Sequence, residues 1–269
     1  MSLVWINGRL IDKADARVSP FDHGFLYGDG VWEHLRVLGG ELFRPDDQLA
    51  HLFAAARVLD IDIPLSPDEL RGAVEATVKA NDRKRGYVRV IVSRGPGTIG
   101  PDPRKIDPQV FITAEEYLPF PSELYSHGLH VVTCAAVDRE YKYHTVRTLG
   151  APHVVGAKAA ALQAGCLDAI LLDRLGRVAG TTEGRLFVVK NGEARRGWGF
   201  HDVAADLDAA DDPELTVADV LGADEVFLAG TAPGVIAVVR CDKRDIGGGG
   251  EGPVTKSLRT GAVVANGPA

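Results

Sequence analysis

The chain has 269 residues, 45% of them hydrophobic, enough for one large buried core or two modest ones. No apolar run approaches the roughly 20 residues of a membrane-spanning helix, and Met1 to Asn7 carries no basic leader or cleavage site, so a cytoplasmic globular protein with no membrane partner is expected. A net charge of −7 argues against a nucleic-acid surface, and Cys134, Cys166 and Cys241, far apart and without a CxxC spacing, suggest buried thiols with no disulfide framework and no metal site.

Leu3 to Asn7 and Arg9-Leu10-Ile11 flank Gly8 as two short apolar strands about a turn, which predicts a hairpin. From Pro45, Leu49, Leu52, Phe53, Ala56 and Leu59 recur at helical spacing, with Asp46 and Asp47 near the positive end of the dipole and Pro64 as the stop. Ser66 suits the cap of a second helix over Pro67 to Ala80, striped by Leu70, Val74 and Val78. Tyr87 to Ser93 and Gln109 to Thr113 are β-branched runs broken by Gly95-Pro96-Gly97. The basic run Arg83 to Arg85 reads as a solvated loop.

This closes a first α/β domain at 1–116. Two prolines within Tyr117 to Ser122 fix extended backbone and predict an interdomain connection over 117–123. In the remainder, 124–269, strands are expected at Leu129 to Ala135, Ala169 to Leu172, Leu186 to Val189 and Glu225 to Ala229, alternating with helices at Val155 to Ala164 and Thr216 to Leu221. Gly247 to Gly250 lacks the Gly-Lys-Ser/Thr of a phosphate loop and reads as a flexible loop.

The stretch Phe21-Asp-His-Gly-Phe-Leu-Tyr-Gly-Asp-Gly-Val-Trp-Glu33, continuing through Arg36 to Leu42-Phe43-Arg44, resembles the opening of branched-chain transaminases, D-amino-acid transaminases and aminodeoxychorismate lyases. Further matches follow in order: Tyr87 to Gly95, Leu171-Leu-Asp-Arg-Leu-Gly-Arg-Val178, Gly222-Ala-Asp-Glu-Val-Phe-Leu-Ala-Gly-Thr-Ala232, and Ile246 to Leu258. The resemblance, to the class IV pyridoxal-phosphate aminotransferases, implies a two-domain α/β architecture of fold type IV. It also implies a site in the interdomain cleft, a homodimer, a small-molecule substrate and pyridoxal phosphate as cofactor.

Such chemistry requires a lysine amine, a carboxylate on the pyridine nitrogen, a phosphate cradle and a substrate carboxylate site. The family pattern over Val146-Arg-Thr-Leu149 and Ala157-Lys158 puts Arg147 at the lysine position, and a guanidinium does not lose its proton at any working pH. Arg147 is expected to hold an anion instead. Lys158 matches a structural lysine of the following helix, and Lys142, five positions before Arg147, falls on the opposite strand face about 17 Å away.

Gly180 occupies the glutamate position, with Glu183 three residues on, and His51 occupies the position of the family's basic phosphate residue. After Asn191-Gly192 the stretch Glu193 to Asp212 shows no phosphate-binding helix turn; of the cradle, Gly230-Thr231-Ala232 remains. Tyr27 and Arg89 are the expected substrate residues, with His51 and Arg147 the catalytic candidates and Thr231, Ala232 and Gly180 the cofactor positions. Glu33 and Arg36 read as a structural pair, and His153 as an ordinary loop histidine.

Every departure falls on the cofactor while the scaffold motifs persist. The expectation is therefore a divergent member that binds no covalent cofactor and reuses the cleft on a small carboxylate-bearing substrate. The alternatives are a conventional transaminase or lyase using an unorthodox lysine, Lys142 or Lys158, and a catalytically silent ligand-binding or partner-subunit homologue.

Overall fold

The expected hairpin forms from β1 (Leu3–Ile6) and β2 (Arg9–Asp12), joined through Asn7 and Gly8 at φ 46 and 92, the left-handed pair that suits a two-residue turn. The computed structural model describes residues 2–104, 106–116, 120–137, 146–199 and 207–261. The chain divides into two units, Met1–Tyr117 with Val146–Ala151, and Leu118–Thr145 with Pro152–Ala269.

In the first unit α1 (His23–Tyr27) precedes β3 (Gly30–Leu38), β4 (Glu41–Leu42), α2 (Pro45–Val58), α3 (Pro67–Ala80), β5 (Arg85–Ser93) and β6 (Gln109–Glu115). These strands make an antiparallel sheet in the order β2-β1-β6-β5-β3-β4. Alternation along β3 sends Val31, Leu35 and Val37 into a core with Leu49 and Leu52 of α2, Leu70 and Val74 of α3, and Val88, Val90 and Val92 of β5. Ser66 caps α3 in a capping box with Glu69, as its sequence predicts.

Alternation also overturns one expectation. Glu33 and Arg36 are three residues apart on a strand, so they face opposite sides of the sheet, and Glu33 pairs with Arg147 and His51 instead. Arg36 has its guanidinium 5.9 Å from the centre of the Tyr87 ring.

The second unit holds α4 (Leu124–His127), β7 (Leu129–Val137), α5 (Pro152–Gln163), β8 (Asp168–Asp173), β9 (Val178–Thr181), β10 (Arg185–Lys190), β11 (Glu193–Arg196), β12 (Ala210–Asp211), α6 (Val217–Leu221), β13 (Glu225–Gly230), β14 (Gly234–Cys241), β15 (Arg244–Asp245) and α7 (Pro253–Thr260). Its sheet runs β12-β11-β10-β13-β14-β7-β8-β9, with β15 attached to β14. The pairs β14–β7 and β7–β8 are parallel, and residues such as Leu186, Val188, Leu228, Ile236 and Ile170 form the core.

Helix α5 starts at Pro152, earlier than its apolar spacing suggests, because proline at a first helical position sacrifices no hydrogen bond. Glu225 caps α7 from outside the helix, accepting from the N–H groups of Val254 and Thr255 at 3.0 and 2.8 Å. The thiols divide: Cys241 is buried, and burial pushes its pKa up to about 12, whereas Cys134 and Cys166 are only partly covered.

Val146–Ala151 do not group with the rest of 124–269. Because β4 pairs with Val37 and Leu38 alone among the described residues, the other end of β3 has an open edge, and residues 146–149 fill it. Trp32 N–H donates to Arg147 C=O at 3.1 Å, Leu149 N–H to Gly30 C=O at 3.0 Å, and Val31 bridges Thr148. Gly28, at φ 68, lies so close that an added Cβ would stand 2.6 Å from Gly150 Cα. Part of the expected connection, residues 117–119, lies outside the described residues, as does Lys142.

Candidate functional site

Glu33 points from β3 to the side of the sheet where α2 packs, among apolar neighbours, and a carboxylate there needs donors. Three reach it: Arg147 Nη1 and the His34 N–H donate to Oε1, the latter at 2.9 Å, and His51 Nδ1 lies 3.0 Å from Oε2. A carboxylate only accepts, so the proton of that last contact is on His51 Nδ1. The Arg147–Glu33 pair joins residues 114 apart in sequence.

Trp32 ties the group to the outer face of the sheet. The Arg147 and Arg89 guanidinium carbons stand 5.2 and 4.6 Å from its ring centre, and its indole N–H donates to Thr148 C=O at 3.1 Å. Arg89 Nε donates to His34 Nε2 at 2.8 Å. Among the described residues the cluster contains two guanidinium groups and one carboxylate. Three expected site residues, Arg147, His51 and Arg89, thus belong to one network. On the helix carrying His51, one turn earlier, Gln48 is 1% exposed and neither atom of its amide has a hydrogen-bond partner among the described residues.

Tyr27 stands elsewhere in this unit. It is exposed at the end of α1, donates its hydroxyl proton to Ile99 C=O and meets the His23 ring edge-on at 5.2 Å.

The remaining expected residues belong to the second unit. Thr231 and Ala232 are buried in the loop joining β13 to β14. Gly180 lies in β9 at φ 110, in the region that disfavours side chains. Glu183 is engaged by Lys158, whose Nζ donates to Glu183 Oε1 at 2.8 Å and to Leu167 C=O at 2.6 Å. Near them lies a buried group the motifs do not reveal. Asp168 accepts from Ala169 N–H, Thr182 N–H and Thr182 Oγ1 at 2.7, 3.0 and 2.6 Å, all on Oδ1, while Oδ2 is buried with no partner among the described residues. Burial pushes its pKa up to about 6. Burial also holds His153, in the first turn of α5, below the usual histidine range. Among the described residues no cluster of His, Cys, Asp and Glu could hold a metal, and no helix is long and apolar enough to cross a membrane.

The sequence pattern of amino-transferase class IV matches residues 30–195. A protein of Methanocaldococcus jannaschii designated a branched-chain-amino-acid aminotransferase is 33% identical over 95% of this chain and 93% of its own length. The D-alanine aminotransferase of Bacillus licheniformis is 30% identical over 96% and 94%. Among solved structures, the T.th. branched-chain amino acid aminotransferase in complex with 4-methylvaleric acid superposes with a TM-score of 0.86 at 27% identity, covering 96% of this chain and 91% of that one. The same enzyme has been solved with pyridoxamine 5'-phosphate. The chain therefore has the mixed α/β fold of the fold type IV aminotransferases and belongs to the amino-transferase class IV family, whose cofactor is pyridoxal phosphate.

Proposed function

We propose that this chain is a class IV aminotransferase homologue that does not attach pyridoxal phosphate covalently and that uses the cluster around Arg147 to hold a small carboxylate. The observation that carries this reading is Arg147 itself, at the position where the resemblance expects the lysine and engaged with Glu33. A guanidinium cannot attack an aldehyde or act as a general base near neutrality. Gly180 presents no carboxylate for a ring nitrogen, and its positive φ disfavours one. Glu183 and Lys158 are engaged with each other. These residues do not fit a covalently held cofactor.

They do suit an anion. Arg147 and Arg89 flank Trp32, and a guanidinium fork presents five N–H donors in the geometry a carboxylate accepts. The T.th. enzyme is solved with 4-methylvaleric acid, a branched aliphatic carboxylate, which supplies a probe. In calorimetry we expect 4-methylvaleric acid to bind the protein, and Arg147→Ala to weaken it by about 10- to 100-fold, the worth of one charged hydrogen bond. Unchanged binding in that variant would remove Arg147 from the role. The protein is further expected to act as a homodimer in the cytoplasm, which light scattering and fractionation test.

A second reading, branched-chain or related transamination through an unorthodox lysine, is favoured by relatives that match this chain over more than nine-tenths of its length. It predicts a visible cofactor band that Lys142→Ala or Lys158→Ala abolishes.

A further inference from the structure

A second candidate site lies within the first unit, at the other end of β3 from Glu33. Gly39 and Gly40, at φ 62 and 91, make the two-residue turn between β3 and β4, and Gly40 N–H donates to Lys84 C=O at 3.0 Å, which ties this hairpin to the loop between α3 and β5. Hairpin, loop, the start of α2 and the last turns of α3 border an open cavity of about 320 Å³, at the lower end of the range for small-ligand pockets. None of its lining residues belongs to the Arg147 cluster.

The apolar surface of the cavity comes from Val78, which is buried, and from Leu42 and Pro45, which are half-buried. Its charged groups divide in two. Arg71 is engaged by Glu75 and Asp46 at 2.9 and 2.8 Å, and Lys84 stands 3.4 Å from Asp82. The side chains of Lys79 and Glu41, by contrast, make no hydrogen bond or ion pair among the described residues, and Arg83 commits only Nε, to Ala114 C=O at 3.3 Å. Two cations and one carboxylate thus line a single cavity without pairing with one another. Opposite charges so placed favour a ligand that carries both signs.

We propose that this cavity binds a small 2-amino acid with an aliphatic side chain, its carboxylate held by Lys79 and Arg83, its ammonium by Glu41, and its side chain against Val78, Leu42 and Pro45. The class follows from the groups present. A simple carboxylate leaves Glu41 unanswered, a simple amine leaves Lys79 and Arg83 unanswered, and a polar side chain gains nothing from the apolar surface. The guanidinium of Arg83 and the ammonium of Lys79 supply only donors, which suits them to a carboxylate, and Glu41 supplies only acceptors, which suits it to an ammonium.

Nitrogen-15 correlation NMR of the full-length protein, titrated with L-leucine, tests this. Saturable shifts are expected at the backbone amides of Gly40, Glu41, Lys79, Arg83 and Lys84. Lys79→Ala and Glu41→Gln, both at exposed positions, should each weaken the response by about 5- to 10-fold, between the worth of an exposed ion pair and that of a charged hydrogen bond. 4-Methylvaleric acid, which is leucine without the ammonium, and 3-methylbutylamine, which is leucine without the carboxylate, should shift these amides more weakly by about the same factor. The absence of a saturable shift at these amides in the millimolar range, or a response that both variants leave unchanged, overturns the site. An equal response to 4-methylvaleric acid overturns the assignment of Glu41 to an ammonium. Leucine shifts confined to Glu33, His51 and Arg147 place the ligand in the other cluster and overturn the site as well.

Discussion

Two buried carboxylates, one in each unit, are treated in opposite ways. Glu33 has both oxygens engaged, with a guanidinium and an imidazole among its donors. Asp168 places three neutral donors on one oxygen and leaves the other buried without a partner among the described residues. Burial penalises the charged form of Asp168. The two carboxylates differ in what their donors offer, a guanidinium and an imidazole in one and neutral N–H and O–H groups in the other. Glu33 draws its donors from β3, α2 and residues 146–149 of the first unit, whereas Asp168, tied to Thr182 beside the Lys158–Glu183 pair, organises the start of β8.

The largest expected effect comes from breaking the first arrangement. Arg147→Ala removes one member of an ion pair whose side chains are 12% and 5% exposed, and should lower stability by about 3 to 5 kcal/mol in denaturant titration. Replacing Glu33 by Leu in the same background should recover part of that loss, because the stranded charge is then gone as well. If Arg147→Ala changes stability by less than its surface counterparts, Glu33 is not the buried anchor described.

The second carboxylate gives a smaller effect and a pH signature. Asp168 binds its proton more tightly when folded, at about 6 against 3.8, so its contribution to stability is complete below the unfolded value and is lost as pH rises through about 6. The span is worth about 3 kcal/mol at 1.36 kcal/mol per pKa unit. Asp168→Asn should therefore flatten the fall in stability between pH 4 and 7, measured by urea unfolding. An unchanged slope would mean that Asp168 ionises without penalty.

An ordinary cap sets the baseline. Ser66→Ala removes the capping-box oxygen of α3 and should cost about 1 kcal/mol with no change in ligand binding. A larger loss, or an effect on 4-methylvaleric acid binding, would show that the first unit's scaffold and the Arg147 cluster are not separable.

Local signals carry most of the fold. Ser66 with Glu69, the stripe Leu70, Val74 and Val78, and the Asn7-Gly8 turn all specify their elements within a few residues. Strand β14 is hidden from such signals because Gly234–Cys241 is buried along nearly all its length and shows no alternation. The site is half legible: Arg147, His51 and Arg89 stand out as separate positions, but sequence spacing assigns the carboxylate joining the first two to Arg36, wrongly. Strand alternation is the signal that places Glu33 opposite Arg36. What no local pattern reveals is that residues 146–149 return to fill the open edge of β3, since that hydrogen bonding depends on where β4 ends. Asp168 is equally silent, because its partner Thr182 lies across a turn of chain that carries no periodic signal.

The central claim is that Arg147 has replaced covalent cofactor attachment in this chain. Its most direct measurement is the intact mass of the full-length protein after incubation with pyridoxal phosphate and reduction with borohydride, followed by peptide mapping. The account predicts no stoichiometric phosphopyridoxyl adduct. One such group per chain on a single lysine, Lys142 and Lys158 included, would contradict it.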